Sequence, residues 1–418
     1  MSLLRRALDA RMPTTISGLD IAETSTGLKF LWGGSATAAG VTVTETTAEN
    51  LAAVYACVRL LAEVIAGTPL RLLDAATKEP ALDHPLYDVL TRLPNPEMSA
   101  FDFRKAMATW MLVWGNAYAL VQRDPSGRVT ALYPLRADCM AVDRSAADSN
   151  RLRYTYQVGG EIKRQWIYDG DRPPIHHWRW DALDGVNGRS RVRLARESLG
   201  VTKAAEEFGA RWFGGGSRPS GVLQTDAKLT PDGAKRMRDE WERLHQGVEQ
   251  SARIAVLEQG LKWTPMTVPP DDAQFLETRR FQLEEIAGRW FGIPPHMVGH
   301  TTTSTSWGTG IESQKNGFVT FTVEPYYEAI TQWVSKDLMG RVEFERYEAK
   351  FDTNKILRGD LSTRIQAYST GLNARIWTVN EVRKKEDLPA VAGGDDALPF
   401  LSTMSQPAPD AADGGGSV

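Results

Sequence analysis

The sequence predicts an α+β fold, with strands and helices mixed in its first half and long helices dominating its second. Three observations carry that expectation. Strand-like runs separated by turn residues fill much of residues 70–180, with Tyr118, Leu120 and Gln122 leading into the turn Asp124-Pro125-Ser126-Gly127. Residues 49–66, 99–114, 191–213, 229–247 and 271–291 read as helices. A last long helix opens near Thr309, runs to about 339 and carries Pro325 inside it.

Taken in order, residues 1–48 are rich in Thr, Ser, Gly and Ala and read as a partly disordered arm. The helix at 49–66 is closed by Pro69. Its window 51–70 is the most apolar in the chain, but Arg59 and Glu63 stand four apart in it, so it reads as an amphipathic helix in water rather than a membrane span. A strand and turn follow at 68–80. Next come a short helix, the Pro94-Asn95-Pro96 break and the hairpin around Asp124, with further strands at 152–180. At 229–247, Thr230 is placed to cap a helix with Pro231 at its first position and Asp232 at the positive end of its dipole. Its narrow stripe of Ala234, Met237, Trp241 and Leu244 suits packing against like helices. Residues 253–270 read as strand, Gln-Gly turn, strand. The helix at 271–291 is stopped by Gly292, Pro294 and Pro295. Thr309 and Glu312 fit a capping box, and Pro325 predicts a kink or break near 321–325. A strand at 341–351, a helix from Asp360 to Leu372, a short helix after Thr378-Val379-Asn380-Glu381 and a disordered tail from Ser402 complete the chain.

Composition narrows the function. The 418 residues, 42% hydrophobic and 24% charged, are those of an ordinary folded protein, with room for two or three domains or one elongated subunit. A net charge of −3 disfavours a sequence-reading DNA-binding domain. Cys57 and Cys139 cannot form a disulfide framework and fit a reducing compartment. The N-terminus lacks the apolar core of a signal peptide. No GxxxxGK[ST], HExxH or GxSxG motif occurs, which argues against a P-loop ATPase, a zinc protease and a serine hydrolase.

The remaining candidates each have a plain structural alternative. His176 and His177, near Asp181 and Asp184, would point to opposite faces of a strand and so fail to share an ion. His296 and His300 are four apart, but the prolines and Gly299 break helical spacing. Gly214–Gly216 could cradle a phosphate or simply connect elements. Arg279 and Arg280 could touch a phosphate backbone or pair with Glu277, Glu284 and Glu285. Arg189, Arg191, Arg193 and Arg196 suit phosphates or a subunit interface equally. Trp307 could stack on a base or anchor a loop. Between the helix stop at Gly292 and the start at Thr309 stands an uncharged hydroxyl run, Thr301-Thr302-Thr303-Ser304-Thr305-Ser306.

Several stretches together resemble one family: LAAVYACVRLLAEVIAGTPLRL, HPLYDVLTRLPNPEMSAFDF, WGNAYALVQRD, ETRRFQLEEIAGRWFGIPPHMVG, TSWGTGIESQKNGFVTFTVEPY, LRGDLSTRIQAY and TVNEVRKKEDLPAVAGGD. They are similar, in order and over residues 49–397, to the portal proteins of tailed bacteriophages of the lambdoid HK-type siphophage branch. The segment 277–326 is the most specific. The chain departs from the family at Ser190, which no proline follows, and at 214–217, where GGGS replaces a common Asn-Gly pair.

The resemblance implies a portal fold: an α/β wing, a two-helix stem, a small β-containing clip, a long kinked helix and a short helical crown, assembled as a ring-shaped homo-oligomer of about twelve copies. Placed on this chain, it implies an N-terminal arm at 1–48, wing at 49–228, stem helices at 229–247 and 271–292 and clip at 248–270. The tunnel loop falls at 293–309, the long helix at 310–340, wing and crown at 341–401 and the tail at 402–418. The implied tunnel-loop residues are His300, Thr301, Thr302, Thr303, Ser304, Thr305, Ser306 and Trp307. The implied stem residues are Arg236, Arg238, Trp241, Arg279 and Arg280, and the clip residues Arg253, Lys262 and Trp263. The implied partners are further copies of the chain, double-stranded DNA passing through the ring, the large terminase, the major capsid and scaffolding proteins, and a head–tail adaptor. No membrane, cofactor, metal or catalytic residue is implied. The implied location is the virion's portal vertex, after assembly in the host cytoplasm. The competing readings are a capsid or adaptor protein without a channel and, further off, a DNA-processing enzyme subunit.

In a ring the hydroxyl run acquires a rationale. One cation per loop would put about a dozen around a duplex, and each neutralised phosphate adds about 0.9 to the salt slope of binding. Hydroxyls offer exchangeable bonds little stronger than those water makes, so a loop of them touches DNA without holding it. The alternative is a surface linker that never meets DNA.

Overall fold

The computed structural model describes residues 36–214, 222–224, 230–233, 235–236, 239, 262–264, 277, 280–300, 309–353, 361–386 and 388–396. The chain divides into two compact units, Met1–Asp352 and Thr353–Val418.

In the first unit the end of the predicted arm is folded. Thr44 and Thr47 close a capping box over a helical turn, Glu45–Ala48. Helix α1, Ala52–Gly67, then buries Val54, Cys57, Val58, Leu61, Ala62, Ile65 and Ala66, a stripe at three- and four-residue steps. Of its two charges, Glu63 meets Lys105 at 3.0 Å rather than Arg59. Strand β1 is Leu70–Asp74. Helix α2, Pro85–Thr91, starts where His84 Nδ1 accepts the Leu86 N–H and Pro85 presets the first turn. Helix α3, Ala100–Trp114, is capped by Ser99 and ends on Gly115 at φ +78°. A side chain at Gly115 would strike the Arg189 backbone at 2.5 Å, so glycine serves there both for its backbone angle and for the close approach.

The hairpin β2, Asn116–Arg123, and β3, Val129–Leu135, turns on Asp124, whose Oδ1 accepts from Ser126 Oγ and the Arg128 N–H. Strands β4, Met140–Ser145, β5, Arg151–Val158, and β6, Glu161–Ile167, form an antiparallel meander. Strand β7, Ile175–Arg179, returns to pair with β2, giving the order β3-β2-β7. Tyr118, Met140, Val142, Leu152, Tyr154, Ile175 and Val186 fill a core common to these two sheets. Strand β4 was not anticipated from sequence.

A helical turn at Arg191–Leu194 leads into α4, Arg196–Gly214. Strands β8, Val222–Gln224, and β9, Lys262–Thr264, pair antiparallel. Of the strand, turn and strand expected within 253–270, β9 is described and pairs with β8; the rest lies outside the described residues. At the expected stem helix, Thr230 Oγ1 accepts the Gly233 N–H at 3.3 Å, as predicted for a cap.

Residues 281–290 are helical, with Glu285–Trp290 widened to a π-helix. Helix α5, Thr309–Phe318, continues through a π-helical stretch, Val319–Val323, into α6, Glu324–Leu338. The kink expected near 321–325 takes this form. Pro325 lacks an N–H and its ring would collide with the carbonyl one turn back; the wider turn makes room without ending the helix.

The expected strand at 341–351 is corrected in its first half. Gly340 donates its N–H to Glu343 Oε2 at 2.9 Å, starting α7, Arg341–Arg346, and only β10, Tyr347–Phe351, is extended, paired with β1.

The second unit holds α8, Leu361–Asn373, and α9, Val379–Lys385, the latter opened by a capping box between Thr378 and Glu381. Glu386 accepts from Arg364 Nη2 at 3.1 Å and Tyr368 Oη at 2.8 Å, and the Lys385 ammonium sits 3.5 Å over the Trp377 ring.

Arg104 shows how buried helix ends are satisfied. Its guanidinium donates to Ala66 O at the end of α1 and to Leu90 O in α2. Burial lowers its pKa to about 10, which leaves it charged at neutral pH. Arg104→Met is expected to lose about 2–3 kcal/mol of unfolding free energy, because both carbonyls stay buried without a charged donor. Urea titration reads this, and a loss below about 0.5 kcal/mol would contradict it.

Candidate functional site

The hydroxyl run is bounded by two helical segments, both packed on α1. On the near side, Ile286, Ala287, Phe291 and Ile293 are buried. On the far side, Phe318, Val319, Val323, Tyr326, Tyr327 and Ile330 are buried. The Ile293 N–H reaches Ala287 O at 2.8 Å across the π turn. Gly292 takes φ +67°, a left-handed turn open to glycine, and Thr322 Oγ1 donates to its carbonyl at 2.6 Å. A Cβ on Gly292 would meet that same hydroxyl at 2.9 Å. The far segment is π-helical where it is tied, and the near segment's π turn ends at Trp290, two residues before Gly292.

The near side ends in a single turn, Pro295–Val298, and Gly299. The His300 N–H bonds to Pro295 O at 3.1 Å, and its Nδ1 lies 3.4 Å from Glu284 Oε1. Glu285 accepts from Ser198 Oγ at 3.0 Å and pairs with Arg289 at 3.4 Å. Glu284 and Glu285 engage His300, Ser198 and Arg289.

The basic run is taken up inside the subunit. Arg189 Nε meets Asp181 at 3.0 Å, Arg193 Nε meets Glu45 at 2.7 Å and Arg196 meets Glu197 at 3.4 Å. The Arg191 guanidinium sits 5.7 Å from the Trp180 and Phe291 ring centres and 5.4 Å from that of Tyr326. It joins the start of the α4 region to both sides of the clamp. Burial raises the Tyr326 phenol pKa, with Arg191 acting the other way.

The far helix is secured to the sheet by Asp337. Its Oδ2 accepts from His176 Nδ1 at 3.0 Å and from the His177 N–H at 3.1 Å, while Oδ1 faces Lys336 Nζ at 3.2 Å. Burial alone would raise this carboxyl's pKa; His176, Lys336 and the His177 N–H outweigh it and hold the group below the usual carboxylate value. An indole N–H can only donate, so Trp178 Nε1 at 2.7 Å makes His176 Nε2 the acceptor and leaves the proton on Nδ1. His177 bonds to Asn116 Oδ1 at 3.0 Å, and burial pushes its pKa down to about 3. The two histidines face different partners, as their adjacency on a strand predicted. Among the described residues, no group of three or more His, Cys, Asp or Glu could hold a metal ion, and no helix is long and apolar enough to cross a membrane.

Of the site residues inferred from sequence, Thr301, Thr302, Thr303, Ser304, Thr305, Ser306, Trp307, Arg238, Trp241, Arg253 and Arg279 lie outside the described residues, as does Gly215-Gly216. Arg236 and Arg280 are helical and exposed. Lys262 and Trp263 are in β9, opposite Gln224 and Leu223. Sequence reasoning missed Asp337 and the role of Arg191. For Asp337 a signal existed: it continues the buried series Val323, Tyr326, Ile330 and Val334, where an acid needs a partner. For Arg191 there was none, since its three rings come from distant segments.

Solved structures of similar fold point to the class. The chain matches a subunit from the neck of an empty gene transfer agent (GTA) particle computed with C6 symmetry, at TM-score 0.57 and 28% identity, over 86% of this chain and 95% of that one. It shares the fold of an HK97-family phage portal protein from Corynebacterium diphtheriae, at TM-score 0.55 and 19% identity, over 75% and 96% of the two chains. The fold is thus that of a phage-type particle's portal subunit. In sequence, the phage portal protein family model matches residues 52–387. The portal protein of Enterobacteria phage HK97 is 31% identical over 353 residues, 84% of this chain and 81% of that protein. The probable portal protein of Streptomyces phage phiC31 is 32% identical over 372 residues, 86% and 79% of the two. The chain belongs to the phage portal protein family.

Proposed function

We propose that this chain is the subunit of a portal ring of about twelve copies at one vertex of a phage-type capsid. Double-stranded DNA enters and leaves through its channel. The large terminase docks on it during packaging and a head–tail adaptor afterwards, while major capsid and scaffolding proteins surround it. It assembles in the host cytoplasm, resides in the particle and catalyses nothing itself. The stem spans 229–247 and 271–292, the clip lies between them, and residues 301–307 form the tunnel loop. The observation that carries this reading is the clamp. Two helical segments that flank the uncharged hydroxyl run in sequence are tied to each other by Thr322 and Gly292, which suits a loop that must touch a moving duplex from a steady base.

Electron microscopy of the purified chain, sorted by rotational symmetry, tests the ring. Rings with a hole wide enough for a duplex are expected. Monomers that persist when capsid and scaffolding proteins are co-expressed would overturn the reading. The loop is tested by Thr302→Lys and Ser304→Lys, expected to slow packaging by about tenfold and to make it strongly salt-dependent. Unchanged packaging and DNA retention would make the run a mere linker.

A further inference from the structure

Among the described residues, the two helical segments that flank the run carry two exposed surfaces. The outer stripe of the far helix is Phe321, Glu324, Pro325, Glu328 and Gln332, all exposed, opposite the buried Val323, Tyr326, Tyr327, Ile330 and Val334. At its head Phe321 is 82% exposed, leaving a whole aromatic ring in water. The near helix shows Arg280, Phe281 and Arg289, with Phe281 55% exposed and the Arg289 side chain 70% exposed and 5.9 Å from the Phe281 ring. One surface sets a phenylalanine beside Glu324 and Glu328; the other sets a phenylalanine beside Arg280 and Arg289, with Arg289 paired to Glu285 at 3.4 Å and Glu277 exposed one turn away.

We infer that these two surfaces dock on each other between neighbouring copies of this chain, the Phe321–Glu324–Glu328 stripe of one against the Arg280–Phe281–Arg289 surface of the next. A closed ring requires a heterologous contact, in which each subunit offers two different and mutually complementary surfaces. Opposite charge around a shared aromatic centre is such complementarity. The acidic stripe would repel phosphates, which disfavours DNA as its occupant. The inference rests on the ring proposed above.

The test uses the full chain with charges reversed on one surface at a time. Glu324→Lys with Glu328→Lys, or Arg280→Glu with Arg289→Glu, is expected to reduce ring yield at least tenfold, read by light scattering and class averages. Each variant should keep the wild-type circular dichroism, since the substituted side chains are exposed. Mixing the two variants in equal amounts should restore rings. Reversed acids then meet reversed arginines, subunits alternate, and only even-numbered rings close. A misfolded variant would not be rescued by mixing. If either variant alone forms rings at wild-type yield, or the mixture fails to recover them, this interface is wrong while the portal reading stands. If the wild-type chain forms no ring even with capsid and scaffolding proteins, both fall together.

Discussion

Replacing Asp337 with alanine is expected to lower the unfolding free energy by about 2–6 kcal/mol, because two buried donors lose their acceptor. The carboxylate is 2% exposed and serves two donors at once, His176 Nδ1 and the His177 backbone N–H. Alanine leaves both buried and unpaired, and each orphaned donor costs about 1–3 kcal/mol. Asp337→Asn should lose less, because one amide oxygen can still accept from the histidines, although its NH₂ group then faces Lys336. Urea titrations of wild type and both variants give the comparison. Equal stability of Asp337→Ala and wild type would show that the α6-to-sheet tie is incidental. A secondary consequence follows for the clamp. With α6 no longer bonded to β7, hydrogen exchange should rise along 319–338 before it rises in β2 or β5.

The second large effect is with acid. His177 has its folded pKa pushed down to about 3 by burial, against an unfolded value near 6.5. Between those values the unfolded chain binds a proton that the folded chain refuses, so stability is fully present above about pH 6.5 and falls as pH drops toward 3. At about 1.4 kcal/mol per pH unit the loss reaches about 4–5 kcal/mol by pH 3. Asp337 acts in a lower window. Its folded pKa lies beneath the unfolded carboxylate value, so its contribution is present above about pH 3.8 and disappears as pH falls through the folded value. Unfolding free energies at pH 7, 6, 5 and 4 should decline with a slope near one proton. His177→Gln, which can still donate to Asn116, should flatten that slope while losing some stability at pH 7. An identical slope in both proteins would remove His177 as the cause.

What could be read from sequence was local. Thr230 caps the helix it precedes, Gly292 stops its helix with positive φ, and Asp124 makes its turn, because each needs only residues a few positions away. The apolar stripe of α1 was visible for the same reason. The failures are non-local. Strand β4 has a mixed composition and is extended because β5 lies beside it. Residues 341–346 alternate enough to look like a strand, and the Glu343 cap on Gly340 makes them helical. The arginine run was read by charge alone, whereas Asp181, Glu45 and three aromatic rings decide what each arginine does.

The candidate site divides along the same line. By itself, the sequence determined that a small, uncharged, hydroxyl-rich run lies between a hard helix stop and a firm helix start, and its ordered motifs determined the family. Tertiary structure alone decided how the segments that flank the run are held: the π turn that absorbs Pro325, the Thr322–Gly292 bond, the Arg191 cage and the Asp337 tie to β7. Turns and caps depend on a residue's neighbours in the chain, whereas a buried charge or a strained helix persists only when partners from distant segments satisfy it.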